Sequence, residues 1–278
     1  MFQLAAFADE ADGSLIGQIN AMQDNDIPLL EIRGVDGINV SDLSVTQAKE
    51  IRKKLEDAEK AVWSIGSPLG KIDITDEFAP HLDKFCHTLE IADILGAKHI
   101  RLFSFYHQNV PFSDTLKDAV LERLAQFLEK AKNSDILLCH ENEKGIYGDT
   151  AERCAELHKA LPALKAIFDP ANFIQCGQEI LSGWDLLEPY IEYLHIKDAM
   201  PDGYVVPAGC GIGYIPELLK RYEAIGGCTL TLEPHLTVFD GFSQLEQPGD
   251  TTKINNYRYS SGKEAFRAAV VALRNLIG

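Results

Sequence analysis

ILLCHENEKGIYGDT, residues 136–150, is an apolar run that stops abruptly on charge. Ile136, Leu137, Leu138 and Cys139 read as a buried strand, and His140-Glu141-Asn142-Glu143 breaks it. Gly145 and Gly148 punctuate a loop, after which Asp149 or Thr150 can cap a new helix. The stretch is therefore a strand whose C-terminal end hands carboxylates to a loop, with a helix behind it. Three later strands end the same way, on Asp169, His195 and Glu233.

Outward from that stretch the chain repeats one unit. Apolar or alternating runs at 2–8, 28–34, 61–65, 99–104, 164–169, 190–197 and 228–233 read as seven further strands. Helical patterns fall between them: from Ser14 (with Leu15, Ile19 and Met22 as its stripe), at 46–60, 77–95, 113–133, 150–161, near 184–187, at 216–224 and at 263–277. Eight strand-then-helix units in strict alternation imply a parallel sheet with right-handed crossovers. Eight such units in one chain of this length point to a single (β/α)₈ barrel domain over residues 1–278. An open doubly wound sheet would show a glycine-rich fingerprint after its first strand, and none stands there.

The formal charge of −16 and the absence of any Lys/Arg run exclude a nucleic-acid partner. The six cysteines are scattered with no C-x-x-C pair, as in a reduced cytoplasmic protein. MFQLAAFADE lacks a basic n-region, and no apolar run is long enough for a membrane span. The expectation is a cytoplasmic enzyme-sized barrel, with a homodimer compatible but undetermined.

In a parallel barrel all C-terminal strand ends share one mouth. Strands five to eight bring Glu141, Asp169, His195 and Glu233 there. Alternation sets Thr229, Thr231 and Glu233, and likewise Tyr193, His195 and Lys197, toward the axis. Three carboxylates and an imidazole form a hard-to-borderline donor set for a divalent metal (Mn, Mg, Co or Zn), more suited to an open octahedral ion than to tetrahedral structural zinc.

LCHENEKGIYGDT (138–150), FDPANF (168–173), LHIKD (194–198) and LEP (232–234) resemble the xylose isomerase-like barrel superfamily, the sugar phosphate isomerase/epimerase family. EIRG (31–34), SPLGK (67–71) and RLFSFY (101–106) are also similar, so the resemblance covers nearly the whole chain. It implies that Glu141, Asp169, His195 and Glu233 are the metal set of the ketose 3-epimerases, with Glu141 and Glu233 as the catalytic acid–base pair. The implied activity is divalent-metal-dependent isomerisation or epimerisation of a small sugar or sugar derivative through a metal-bound enediolate. Two departures stand out: Asn172 occupies the histidine position of the family's D-x-x-H pattern, and the arginine expected after the strand-seven histidine is replaced by the Lys197-Asp198 region. These keep open a metal-dependent dehydratase or lyase acting on a keto-sugar or keto-inositol. A non-catalytic sensing barrel is the third reading. The extra histidines of the AP endonuclease IV relatives are not evident.

Further substrate-binding candidates for a small polyhydroxy molecule are Lys197, Asn172, Glu31, Arg33 and Lys71. Each has a bland alternative. Lys197 can pair with Glu143 or Asp198, Glu31 and Arg33 can pair with each other, and Lys71 can point to solvent. Gly209-Cys210-Gly211-Ile212-Gly213 could offer backbone N–H groups to an anion. His140 alternates away from the axis and reads as structural, and His235 stays uncommitted. The long aromatic-rich connection 235–262 is a candidate lid.

Overall fold

The computed structural model describes residues 2–108, 110–239 and 259–278. Its strands are β1 (Gln3–Ala6), β2 (Leu29–Ile32), β3 (Ala61–Ile65), β4 (His99–Leu102), β5 (Leu137–Glu141), β6 (Lys165–Phe168), β7 (Ile191–Ile196) and β8 (Thr229–Leu232). They pair in the order β1-β8-β7-β6-β5-β4-β3-β2, and β1 also pairs with β2, so the sheet closes on itself. Every pairing in the ring is parallel. The expected (β/α)₈ barrel is what the chain forms.

Local chemistry fixes where the helices begin. Ser14, Ser44, Ser113, Thr150 and Ser261 each accept a hydrogen bond from the backbone N–H three residues on, opening α1 (Leu15–Asp24), α2 (Val45–Asp57), α4 (Asp114–Ala131), α5 (Ala151–Ala160) and α9 (Gly262–Ile277). Each cap satisfies a donor the helix cannot satisfy itself, worth about 1 kcal/mol. Gly96, at φ 76°, ends α3 (Ala79–Leu95) in the left-handed conformation that favours glycine.

The strands bury both faces. Leu194, Ile196, Leu230 and Leu232 pack outward in the core shared with the helices, while Glu31, Ser64, Tyr193, His195 and Thr231 are fully buried polar groups. Each outward leucine or isoleucine adds roughly 1.5–3 kcal/mol by leaving water. Glu31, Ser64 and Tyr193 satisfy one another: Ser64 Oγ lies 3.0 Å from Tyr193 Oη, and Tyr193 donates to Glu31 Oε1 at 3.0 Å.

The structure departs from the simple repeat after β6. Two helices follow it, α6 (Pro170–Gln175) and α7 (Ile180–Leu187), where one near 184–187 was expected; the seventh unit's crossover helix is α8 (Ile215–Ala224). Asp169 caps α6 by accepting from Asn172 N–H, and Pro170 takes the first helical position, where its missing donor costs nothing. Two-residue hairpins, Gly34–Val35 with Ile38–Asn39 and Asp198–Ala199 with Val205–Val206, follow β2 and β7. They are too short for any periodicity to announce them. The bulk of the lid candidate, residues 240–258, lies outside the described residues. Among the described residues no helix is long and apolar enough to cross a membrane, and all six cysteines are free.

Candidate metal centre

The four strand ends converge. Glu141 closes β5, His195 lies within β7, and Asp169 and Glu233 stand one residue past β6 and β8. Each offers a ligand atom, all four atoms lie within 4.8 Å of one another, and all four residues are buried. Asp169 is held twice from the neighbouring strand: its N–H donates to Asn142 Oδ1 and its carbonyl accepts from Asn142 Nδ2, both at 2.9 Å.

His195 shows how the chain has prepared the site. Its Nδ1 donates to Glu141 Oε1 at 2.8 Å and stands 3.7 Å from Glu233 Oε2. Its Nε2 donates to Glu31 Oε2 at 3.3 Å. Burial alone would lower the imidazole pKa, but Glu141 and Glu31 outweigh it and raise it to about 10. The Glu31 contact fixes Nε2 as the protonated nitrogen, so Nδ1 is the atom that can give up its proton to a cation. Glu31 is therefore a partner of a ligand, and not of Arg33.

Cations of the protein itself already lie against these carboxylates. Lys197 Nζ is 2.8 Å from Asp169 Oδ2 and 2.7 Å from Glu233 Oε2. It pairs with neither Glu143 nor Asp198, because the axial face of β7 aims it into the quartet. Arg101 Nη1 reaches Glu141 Oε2 at 3.0 Å and Glu233 Oε1 at 3.6 Å. Burial drives the Asp169 pKa up to about 7 despite Lys197. For Glu233, burial is overcome by Lys197, His235, His195 and Arg101, and the pKa falls well below the usual range. Four buried donors, with the imidazole held through Nε2 by Glu31, on a cluster that already draws an ammonium and a guanidinium, fit a divalent cation.

A second group, Glu10, Glu233 and His235, also brings ligand atoms within 4.8 Å. Arg33 occupies the charge position there, with Nη2 3.3 Å from Glu10 Oε1 and Nη1 3.3 Å from Glu233 Oε1. Its Nε and Nη2 grip Asp9 at 2.8 and 3.0 Å. This is a guanidinium-centred network. Burial lifts the Glu10 pKa to about 8.

The other candidates resolve as follows. Asn172 Nδ2 donates to Asn142 O at 3.0 Å and to Glu141 Oε1 at 3.4 Å, so it positions a ligand. Lys71 does not point to solvent; its Nζ bridges to Glu143 Oε2 at 3.2 Å. The anion answering the glycine loop is the protein's own Asp198, which accepts N–H bonds from Gly209, Gly211 and Gly213 at 2.8–2.9 Å. A Cβ on Gly211 would meet Ala199 O at 2.3 Å and Asp198 Oδ1 at 2.4 Å, which explains the glycine. His140 lies outside the barrel against Ser104 Oγ at 3.0 Å, as its alternation implied. Sequence reasoning missed Asp9, Glu10 and Arg101. Alternation along β4 could have found Arg101, but Asp9 and Glu10 arrive on a 3₁₀ turn, Ala8–Glu10, that carries no period.

Residues 26–249 match the family model described as xylose isomerase-like TIM barrel. The chain belongs to that family. Solved structures of the same fold include the probable 3-DHS dehydratase AsbF involved in petrobactin synthesis from Bacillus anthracis (16% identity, 99% of each chain covered, TM-score 0.75). D-psicose 3-epimerase with D-tagatose from Clostridium cellulolyticum H10 is similar over 100% of this chain and 98% of its own, at 13% identity and TM-score 0.74. The IolI protein with a bound zinc atom matches over 100% and 98%, at 15% identity and TM-score 0.75. At these identities the likeness shows the fold. No curated protein matches the sequence.

Proposed function

We propose that this barrel is a divalent-metal-dependent isomerase or epimerase of a small polyhydroxy carbonyl compound. The reading rests on one observation: Glu141 and Glu233, two carboxylates able to carry protons, share a buried cluster with Asp169 and His195 that fits a cation. Glu141, Asp169, Glu233 and His195 through Nδ1 would hold the ion. When bound, a divalent cation supplies Lewis-acid polarisation of a carbonyl and acidifies the adjacent C–H.

The chain's own groups do the proton work. Glu141 and Glu233 come from β5 and β8, with β6 and β7 between them in the ring, so they approach the cluster from separate strands. One takes the proton from the carbon beside the carbonyl and the other returns a proton to the resulting enediolate. Return to the opposite face of the same carbon epimerises, and return to the neighbouring carbon isomerises. Arg101, against both glutamates, favours their charged, proton-accepting forms.

One observation favours a second outcome. Lys197 Nζ, 2.7 Å from Glu233 and kept charged by Asp169 and Glu233, places an N–H donor beside the cluster that can hydrogen-bond a departing hydroxyl while the glutamate that took the C–H proton returns it to form water, and a dehydratase is among the structural relatives. Incubation of the Mn²⁺-loaded protein with a panel of ketoses in D₂O should place deuterium beside the carbonyl. Product mass separates the outcomes, because isomerisation conserves it and dehydration lowers it by one water. No exchange across the panel would count against both.

A further inference from the structure

Among the described residues, Arg33, Arg101 and Lys197 bring positive charge onto the quartet, and they are not held alike. Arg101 is tethered outside it: Nη2 donates to Gly66 O at 3.1 Å, and the guanidinium lies over Phe7 at 5.0 Å and over Phe103 at 5.1 Å. Arg33 is gripped by Asp9 through two bonds and lies over Phe7 at 4.5 Å and Phe239 at 4.8 Å. Either guanidinium keeps these anchors whatever happens to its quartet carboxylates. Lys197 has no comparable tether. Among the described residues its ammonium meets Asp169 Oδ2 at 2.8 Å and Glu233 Oε2 at 2.7 Å, both within the quartet.

Those two oxygens are the ones an ion would need. Asp169 Oδ1 already accepts the cap bond from Asn172 N–H at 2.9 Å, which leaves Oδ2 for a ligand role. Oδ2 is buried, and although the ammonium is close, no N–H is aimed at it as a hydrogen bond. A contact of this kind has the charge attraction without the directional part of the bond. Glu233 Oε2 stands 3.7 Å from His195 Nδ1, the nitrogen that can turn to a cation, while Glu233 Oε1 is shared by Arg33 and Arg101. A divalent ion drawn to Oδ2 and Oε2 therefore meets the ammonium there. Like charges so close repel strongly in a water-poor site. The flexible four-carbon stem lets the ammonium withdraw, which the anchored guanidiniums cannot do.

We propose that Lys197 is the placeholder cation of this centre: its ammonium neutralises Asp169 and Glu233 in the metal-free protein and leaves them when a divalent ion enters, so that metal binding is an exchange of one cation for another. The released ammonium keeps its three N–H donors, and with both carboxylates claimed by the ion these donors are open to an oxygen of the substrate. They become available in the loaded centre and not before. This rests on the quartet as a metal centre and is independent of which reaction the centre performs.

Mn²⁺ titration against a chelating dye, with wild type and Lys197→Met, is the first arm of the test. Removing the competing charge should tighten Mn²⁺ binding by about tenfold or more. Unchanged or weaker binding overturns the exchange. Tightening alone would also follow from a lysine that stays where it is, so the second arm uses wild-type protein. Reductive methylation of Lys197, read by peptide mass spectrometry, should be several-fold faster in saturating Mn²⁺ than in its absence, because the ammonium has left its buried ion pairs. Equal or slower labelling overturns the exchange, and it decides alone where Lys197→Met fails to fold. Neither arm needs turnover. Tighter binding and faster labelling without deuterium exchange sink the isomerase reading alone, and deuterium exchange with neither change sinks this one alone. If neither protein binds Mn²⁺, the metal centre falls and the cation exchange with it.

Discussion

The two halves of the barrel mouth obey one geometric rule and carry opposite chemistry. The ends of β5 to β8 deliver Glu141, Asp169, His195 and Glu233, a buried cluster that could hold a cation. The ends of β1 to β4 deliver Arg33, Lys71 and Arg101 along a cavity wall, with Asp9 and Glu10 pinned against Arg33. Arg101 and Arg33 reach across to Glu233, so the halves are stitched by guanidinium–carboxylate pairs. The difference teaches a division of labour. On the proposed reading the acidic half binds a cation and moves protons, while the cations of the basic half are held in ion pairs with Asp9, Glu10, Glu143 and Glu233.

Glu233 sits on the seam, so its removal should be the most damaging. Glu233→Gln loses a metal ligand, a proton carrier and the partner of Lys197 at once. Exchange of the substrate C–H should slow by about 10³-fold or more, and metal content after dialysis should fall. A variant that keeps both metal and exchange would break the division described above. Glu31→Gln touches the acidic half from behind, through His195 Nε2 alone among the candidate ligands. Losing that fixed tautomer should weaken metal binding by about 10–100-fold, read by competition with a chelating dye. An unchanged affinity would demote Glu31 to barrel filling.

The acidic half was legible in the sequence, and so were Arg33 and Lys71 as residues of the basic half, but Arg101 and the partners of these cations were not. Alternation along a strand fixes which residues face the axis, so His195 with Tyr193 and Lys197, and Glu233 with Thr231, declared themselves before any coordinates. Partners escape such a rule, because a guanidinium reaches several ångströms in any of several directions. Arg33 was expected beside Glu31, two residues away on the same face, yet it turns to Asp9, Glu10 and Glu233. Glu31 meets Tyr193 and His195 from the far side of the ring instead. Glycine patterns share the difficulty: the residues 209–213 form an anion cradle as read, but only the fold shows that its anion is Asp198.

The smallest expected effect compares two consecutive residues of β5, His140 and Glu141, which face opposite sides of the wall. Burial, with His158 alongside, lowers the His140 pKa to about 3, so the native ring stays neutral against Ser104. The unfolded chain takes up that proton near the ordinary value of about 6.5. Between those two values the unfolded state binds more protons, so stability falls as pH drops through the window. The contribution lost by pH 5 is about 2 kcal/mol. Glu10, raised to about 8, acts in the opposite sense, since its native form keeps a proton the unfolded chain has shed. The whole-protein curve is therefore a sum, and only a variant isolates the histidine. His140→Asn should narrow the gap in unfolding free energy between pH 7.5 and pH 5 by about 2 kcal/mol, measured by urea titration at each pH. It should leave metal affinity unchanged, because the ring lies outside the barrel. If the acid limb keeps its slope in the variant, His140 is not the group that titrates there, and the two faces of β5 differ less than their surroundings imply.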